Sequence, residues 1–396
     1  MPERIPPPPA ATARGLPLRG ARPPVAVDYN QSPFVVAWEV TRACALACQH
    51  CRAEAQPRRH PGELPTSDGF LLIEEVRSLG AALLVLTGGD PMLRPDLPEL
   101  IAHARSAGLN VALSPSATPR VTRARLSDCR DAGVGRVSFS LDGASAATHD
   151  AFRGVPGVFA RTLRTLDLLR EVGLTVQINT TVCRQNAHEL AAVASLAAQY
   201  GAVMWSLFFL VPTGRGKVDD VISAEEHERV FNWLFDFATS PPFDVRTTAA
   251  PQYRRVVMQR TPSRPDGGWQ VHAGFQCSSA ADGITRAAQG VNDGKGFCFV
   301  SHLGEIQPSG FLPLTGGVFP RDSLVTTYRE APLFRSLRDP ARLKGKCGRC
   351  EFRAVCGGSR ARAHAFAGDP LAEEPRCVYD PPGALPASEV PHRVPV

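Results

Sequence analysis

The sequence predicts an α/β chain of parallel β/α units followed by a small cysteine-rich segment. Two observations predict it. Short, apolar, β-rich runs alternate with helical periodicity from Phe34 to about residue 216, and seven of the eleven cysteines fall into two close-spaced groups. Strands buried on both faces and alternating with helices imply a parallel sheet with right-handed crossovers. Six such runs are too few for a complete eight-stranded barrel, which leaves an open partial barrel or a doubly wound sheet. In both, chemistry belongs at the C-terminal ends of the strands.

The expected strands are FVVAWEV (34–40), LLVLT (83–87), VALSP (111–115), VSFSL (137–141), VQINTTV (176–182) and WSLFFLV (205–211). Between them, SDGFLLIEEVRSL gathers Phe70, Leu72, Ile73 and Val76 on one helical face. Leu97, Leu100, Ile101 and Ala104 form another, and Leu163, Leu166 and Leu169 a third. Thr66 or Ser67 with Asp68, Thr122 and Asn186 are expected N-caps. A further amphipathic helix is expected over 222–240. Residues 241–295 are poorly patterned, with TPSRPDGGW as a loop. GFCFVSHLGEIQPSG then reads as a hairpin turned at Leu303-Gly304, and TTYREAPLFRSL as a helix. The resulting organisation is a Pro-rich disordered leader (1–32), a barrel domain (33–245), a linker with a cysteine-rich domain (246–380) and a flexible tail (381–396).

Composition sets limits. Of 396 residues 43% are hydrophobic and 21% charged, an ordinary globular balance, and the net charge of +6 is spread rather than clustered. A polybasic nucleic-acid arm is thereby disfavoured. No export signal and no run of about 18 apolar residues is evident. A cytoplasmic protein without a membrane span is expected, in which grouped thiols are metal ligands more often than disulfides.

Cys44-x3-Cys48-x2-Cys51 sits just past the first strand. Three thiolates on one loop can hold one face of a [4Fe–4S] cluster and leave one iron open. A zinc loop or incidental cysteines are the alternatives, and His50, wedged between ligands, is awkward as a fourth zinc ligand. The second group, Cys347-x2-Cys350-x5-Cys356 with Cys377, offers four thiolates, enough to close a second cluster or a tetrahedral zinc. Cys129, Cys183, Cys277 and Cys298 stand alone.

With these motifs the sequence resembles the radical S-adenosylmethionine (SAM) enzymes, whose Cys-x3-Cys-x2-Cys signature follows the first strand of a partial (β/α)6 TIM-like barrel. The resemblance covers residues 34 to about 380. Thr87-Gly88-Gly89-Asp90-Pro91 stands where the family carries Gly-Gly-Glu-Pro, which implies that Gly88, Gly89 and Asp90 meet the SAM amino group. Asp90 is one methylene shorter than the family's Glu. Ser140-Leu141-Asp142-Gly143 and Arg153 resemble the segment that meets the SAM carboxylate and ribose, so Ser140 and Arg153 inherit those roles. His50 and Leu210 take the positions that flank the adenine. Ser114-Pro-Ser-Ala-Thr-Pro119 replaces the usual Thr-Asn-Gly, and its residues are left unassigned. Asn179-Thr180-Thr181 puts polar groups at the barrel mouth. The resemblance implies that SAM on the open iron is reductively cleaved to a 5′-deoxyadenosyl radical, which abstracts a substrate hydrogen.

CGRCEFRAVCGGS resembles the SPASM/twitch extension, which implies a second, auxiliary [4Fe–4S] cluster on Cys347, Cys350, Cys356 and Cys377. Ser309 and Arg360 replace two further cysteines of the complete pattern, so one auxiliary cluster is expected and Cys298 is left unassigned. The function expected is hydrogen abstraction in maturation of a peptide, protein or cofactor, with a ferredoxin- or flavodoxin-type reductant. The alternative substrate is a tetrapyrrole, whose propionates Arg215 could pair with. An electron-transfer or sensor protein without catalysis is the non-enzymatic alternative. A thiol nucleophile ranks last, because no isolated cysteine has an evident His base.

Overall fold

The computed structural model describes residues 27–239, 241–261, 284, 287 and 290–382. Cys277, the TPSRPDGGW loop beyond Thr261 and most of the expected leader and tail lie outside them.

All six expected strands form: β1 (Val35–Glu39), β2 (Leu83–Thr87), β3 (Asn110–Leu113), β4 (Arg136–Ser140), β5 (Thr175–Val182) and β6 (Met204–Phe209). Four more follow: β7 (Asp244–Thr248), β8 (Phe297–Val300), β9 (Glu305–Gln307) and β10 (Gly317–Val318). They make one sheet in the order β10-β9-β8-β1-β2-β3-β4-β5-β6-β7. The strands from β8 through β7 in that row are parallel, and β9 and β10 are antiparallel. Among the described residues β7 and β8 do not pair, so the barrel stays open.

Two features differ from expectation. The expected hairpin forms, but its first strand lies beside β1, with Val35 opposite Phe297. It therefore extends the barrel sheet. The expected domain boundary at 245 falls within β7, which pairs with β6.

The helices are α1 (Thr66–Leu79), α2 (Leu97–Ser106), α3 (Arg123–Asp131), α4 (Ala146–Arg153), α5 (Val158–Glu171), α6 (Leu190–Gln199), α7 (Ala224–Phe237), α8 (Gln252–Arg260), α9 (Leu324–Glu330), α10 (Pro332–Arg338), α11 (Gly345–Arg349) and α12 (Arg360–Ala367). Leu72, Ile73, Val76, Leu97, Leu100, Ile101 and Ala104 are all buried, as the periodicity requires. Each large aliphatic side chain among them contributes about 1.5–3 kcal/mol. Thr122 caps α3 by accepting from the Arg125 amide. Neither Thr66 nor Ser67 caps α1: Pro65 holds that position, and the Thr66 hydroxyl bonds Asp96. Asn186 does not cap either. Its side chain bridges the Cys183 amide and the carbonyls of Asp142 and Thr181. The helix expected over TTYREAPLFRSL is two, because the residue before Pro332 is pushed out of the helical region and Ala331 is extended.

Strand alternation sorts the barrel into two faces. Trp38 and Trp205 point outward, the first against Gly69 of α1 and the second edge-on to Trp233 and Phe237 of α7. The opposite face carries Ser140, Asn179, Ser206 and Arg246, which lie in register across β4 to β7. Near the N-terminal ends of β1 and β2, Tyr29 packs with Phe34, Val35, Leu83 and Ile284. Tyr29 thus packs into the fold from within the segment expected to be leader.

Candidate metal and cofactor site

Cys44, Cys48 and Cys51 lie on the irregular chain between β1 and α1, and three neighbours fix that loop. The turn after β2 grips it first: the Gly89 amide donates to Thr41 O at 2.8 Å and the Asp90 amide to Ala43 O at 2.7 Å. A Cβ on Gly88 would stand 2.4 Å from Thr41 O, and one on Gly89 2.4 Å from Ala43 O. Only glycine permits this approach. The C-terminal end of α4 grips it second, with the Ala47 and Gln49 amides donating to Arg153 O and Phe152 O. Arg215 is the third grip: its Nε donates to Cys48 O at 2.8 Å, and its amide to Cys51 O at 3.0 Å. The guanidinium raised as one that could pair with a propionate is therefore committed largely to the loop.

Each of the three sulfurs faces a donor. The Leu46 amide lies 3.3 Å from Cys44 Sγ, Arg153 Nη1 3.6 Å from Cys48 Sγ and the Ala55 amide 3.5 Å from Cys51 Sγ. Burial raises the Cys44 thiol above its ordinary pKa. Around Cys48, three buried nitrogens have no hydrogen-bond partner: His50 Nδ1, Arg153 Nε and Arg215 Nη2. His50 stacks on Phe152 at 4.1 Å and stays neutral, since burial and then Arg153 and Arg215 hold its pKa well below the usual range. Arg153 also pairs with fully buried Asp142. Burial opposes its charge, but the Asp142 carboxylate and Cys48 outweigh that and push its pKa up.

The remaining expected residues fall around the same loop. Ser140 ends β4, in register with Asn179. Leu210 packs with Phe152, Cys183 and Val221, one ring away from His50. Asp90 is fully buried, and its carboxylate accepts from Thr118 Oγ1 at 2.6 Å and from the Met92 and Ser116 amides. That carboxylate is taken up within the protein, fixing the turn. Ser116 also donates to Gly89 O and stands 3.6 Å from Cys44 Sγ. Ser116 and Thr118 belong to the segment that sequence reasoning left unassigned. A buried trio was also missed: Glu39 pairs with Arg52 at 2.8 Å and with His302 at 2.7 Å, tying the chain after Cys51 to the turn beyond β8.

The second group is built differently. Cys347, Cys350, Cys356 and Cys377 line one pocket together with Gln252, Phe352 and Tyr379. Each sulfur receives a backbone N–H, from Glu374, Phe352, Gly358 and Tyr379 respectively. Burial pushes Cys350 and Cys356 up to about 12. Ser309 and Arg360, at the two replaced cysteine positions, are buried. Ser309 accepts from the Phe311 amide, and Arg360 donates to Pro370 O and Ala372 O. Among the described residues, no three His, Cys, Asp or Glu side chains converge closely enough to hold a single metal ion. A cuboidal cluster takes its thiolates at separate corners and does not require that convergence. Cys298 is fully buried on β8, and Cys129 and Cys183 are buried too.

Residues 38–197 match the radical SAM superfamily. A protein of Nitratidesulfovibrio vulgaris named AdoMet-dependent heme synthase is 44% identical over 356 residues, 89% of this chain and 94% of its own. The chain belongs to the radical SAM superfamily. A second AdoMet-dependent heme synthase, from Methanosarcina barkeri, is 41% identical over 355 residues, 90% of this chain and 99% of its own. The S-adenosylmethionine-bound structure of Streptococcus suis SuiB superposes with a TM-score of 0.65 at 15% identity, covering 88% of this chain and 78% of that one. That likeness concerns the fold. As a radical SAM enzyme the chain works with a [4Fe–4S] cluster and SAM. Among the described residues no helix is long and apolar enough to cross a membrane.

Proposed function

We propose that this radical SAM enzyme acts on a tetrapyrrole in haem-related biosynthesis, removing the carboxyl group of a propionate side chain. The observation that carries the reading is the 44% identity to an AdoMet-dependent heme synthase across nearly the whole of both chains. Of the substrates raised by the sequence, it favours the tetrapyrrole over a peptide.

Cys44, Cys48 and Cys51 would hold the SAM-binding cluster. The residues fit: three sulfurs already face donors, and three further buried nitrogens around Cys48 await partners. Gly88, Gly89 and Asp90 shape the wall, Arg153 and Ser140 bring polar groups for the SAM carboxylate and ribose, and His50 and Leu210 flank the adenine. Arg153 remains a cation throughout, because Asp142 sustains its charge. When bound, the cluster and SAM supply the hydrogen-abstracting chemistry. The protein's own work is to orient the substrate and keep water from the mouth. Arg215, the cation raised by the sequence for a propionate, donates its Nε to Cys48 O, which leaves Nη2 as its unpartnered nitrogen. Cys347, Cys350, Cys356 and Cys377 would hold one auxiliary [4Fe–4S] cluster, a reading supported by the four inward N–H groups and by the packed side chains of Ser309 and Arg360. A ferredoxin- or flavodoxin-type reductant in the cytoplasm completes the proposal.

The test is anaerobic incubation of reconstituted protein with SAM, dithionite and an iron porphyrin bearing propionates. The expected result is 5′-deoxyadenosine formation with matching loss of carbon dioxide from the porphyrin. An unchanged porphyrin, with 5′-deoxyadenosine formed instead only in the presence of a peptide, would overturn the reading.

A further inference from the structure

Two independent features surround the second cysteine group. Gln252, the first residue of α8, is 1% exposed and lines the same pocket as all four thiols. Neither its Nε2 nor its Oε1 has a hydrogen-bond partner. Burying an amide without partners is unfavourable, so the fold retains here a polar group that an occupant of the pocket would satisfy.

The other feature lies behind Cys356, where a separate cleft gathers Arg254, Lys295 and Arg353. None of the three forms an ion pair with a carboxylate among the described residues. They hold backbone carbonyls instead: Arg254 Nη1 donates to Val355 O at 3.0 Å, Lys295 Nζ to Ala354 O at 2.9 Å and Arg353 Nη1 to Gly348 O at 2.8 Å. The geometry explains why. The loop turns N–H groups inward to the sulfurs, which leaves carbonyls facing out for the cations to collect. Burial, and then the charge of Arg254, push Lys295 down to about 8, as expected where cations crowd with no anion between them. The missing counter-charge is in front of them. A cluster on four thiolates is a polyanion, and its reduced form carries one negative charge more.

We infer that Gln252, Arg254 and Lys295 set the electron affinity of the centre in the second cysteine pocket, the amide as a donor to it and the two cations as its counter-charge. This rests on the reading of that pocket as an iron–sulfur site. Donors and positive charge stabilise the reduced form over the oxidised one and raise the potential. The residues make the second centre a better electron acceptor than its thiolates alone would.

The experiment is a redox titration of the anaerobically reconstituted full chain, following by paramagnetic resonance the signal that does not respond to SAM. Gln252→Leu is expected to lower its midpoint potential, and Arg254→Gln to lower it further. Lys295→Met should lower it while Lys295→Arg preserves it. The SAM-responsive signal in the same samples should keep its potential. Gln252→Leu should also leave the metal-free protein at least as stable as the parent, since the unpaired amide is gone. Should Arg254→Gln fail to fold, the Gln252 and Lys295 variants carry the test. Unmoved potentials with about eight irons per chain would overturn the assignment while leaving the second cluster standing. Only about four irons in the parent chain would remove the second cluster itself, and the inference with it.

Discussion

The two cysteine groups solve the same problem by opposite means. Cys44, Cys48 and Cys51 sit on an irregular loop whose shape is imposed from outside, by the Gly88-Gly89 turn, the end of α4 and Arg215. Cys347, Cys350, Cys356 and Cys377 sit on chain that turns its own N–H groups onto the sulfurs. The first leaves buried nitrogens of Arg153, His50 and Arg215 unpartnered beside its sulfurs. The second gives each sulfur a backbone donor and gathers Arg254 and Lys295 in a cleft behind Cys356. A site with three sulfurs and spare donors suits a reactive centre that must still receive a ligand. One with four evenly supplied sulfurs suits a closed centre.

The largest test of this contrast is Cys48→Ala against Cys350→Ala. The first should abolish 5′-deoxyadenosine formation from SAM. The second should leave reductive cleavage measurable and remove the SAM-unresponsive paramagnetic signal. Equal loss of cleavage in both would end the distinction.

Next come the two arginines beside the sulfurs. Arg153→Met strands the buried Asp142 carboxylate and should cost about 3–5 kcal/mol in denaturant unfolding of the metal-free protein. Arg360→Met leaves carbonyls and a contact to Cys347 Sγ unpaired but strands no carboxylate, and should cost about 1–3 kcal/mol. A reversal of that order would show that the first loop does not depend on the ion pair.

Glycines sharpen the comparison further. On Gly89→Ala the new Cβ meets Ala43 O at 2.4 Å, so the loop must shift, and iron bound at the first site should fall by about half or more with the second intact. Gly358→Ala, at φ +65° and with its Cβ 3.2 Å from Cys347 Sγ, should do the converse. Separate counting of the two signals decides both.

Much of this was legible because it is local. The first six strands were found to within a residue or two because their outward faces are apolar, and the cysteine groups because thiol spacing is explicit in the sequence. β7 was not found: DVRTT has one buried residue, Val245, and its inner face is polar because it lines the barrel interior. Ser116, Thr118, Gln252 and Arg254 carry no sequence signal either. Each acquires its role from a partner distant in sequence, as Asn186 does when it bridges strand ends where a helix cap was expected.

The smallest expected effect concerns pH and lies outside both cysteine groups, at His227 of α7. Burial and then Arg362 hold its pKa at about 3 in the folded chain, against about 6.5 unfolded. The unfolded chain takes up the proton first, so this contribution to stability is present above about pH 6.5 and is lost as pH falls towards 3. His227→Phe should flatten that decline by at most about 1.4 kcal/mol per pH unit, read from denaturation midpoints between pH 7 and 5. The change should be the same whether or not iron is bound.

The seating of β8 against β1 bears on how the molecule is made. Val35–Trp38, the first strand among the described residues, acquires its second neighbour only once Phe297–Val300 has been translated. Until then an apolar parallel edge stays bare, and bare edges recruit other chains. A fragment ending after β7 would keep every cysteine of the first site and still be prone to stick to its own copies.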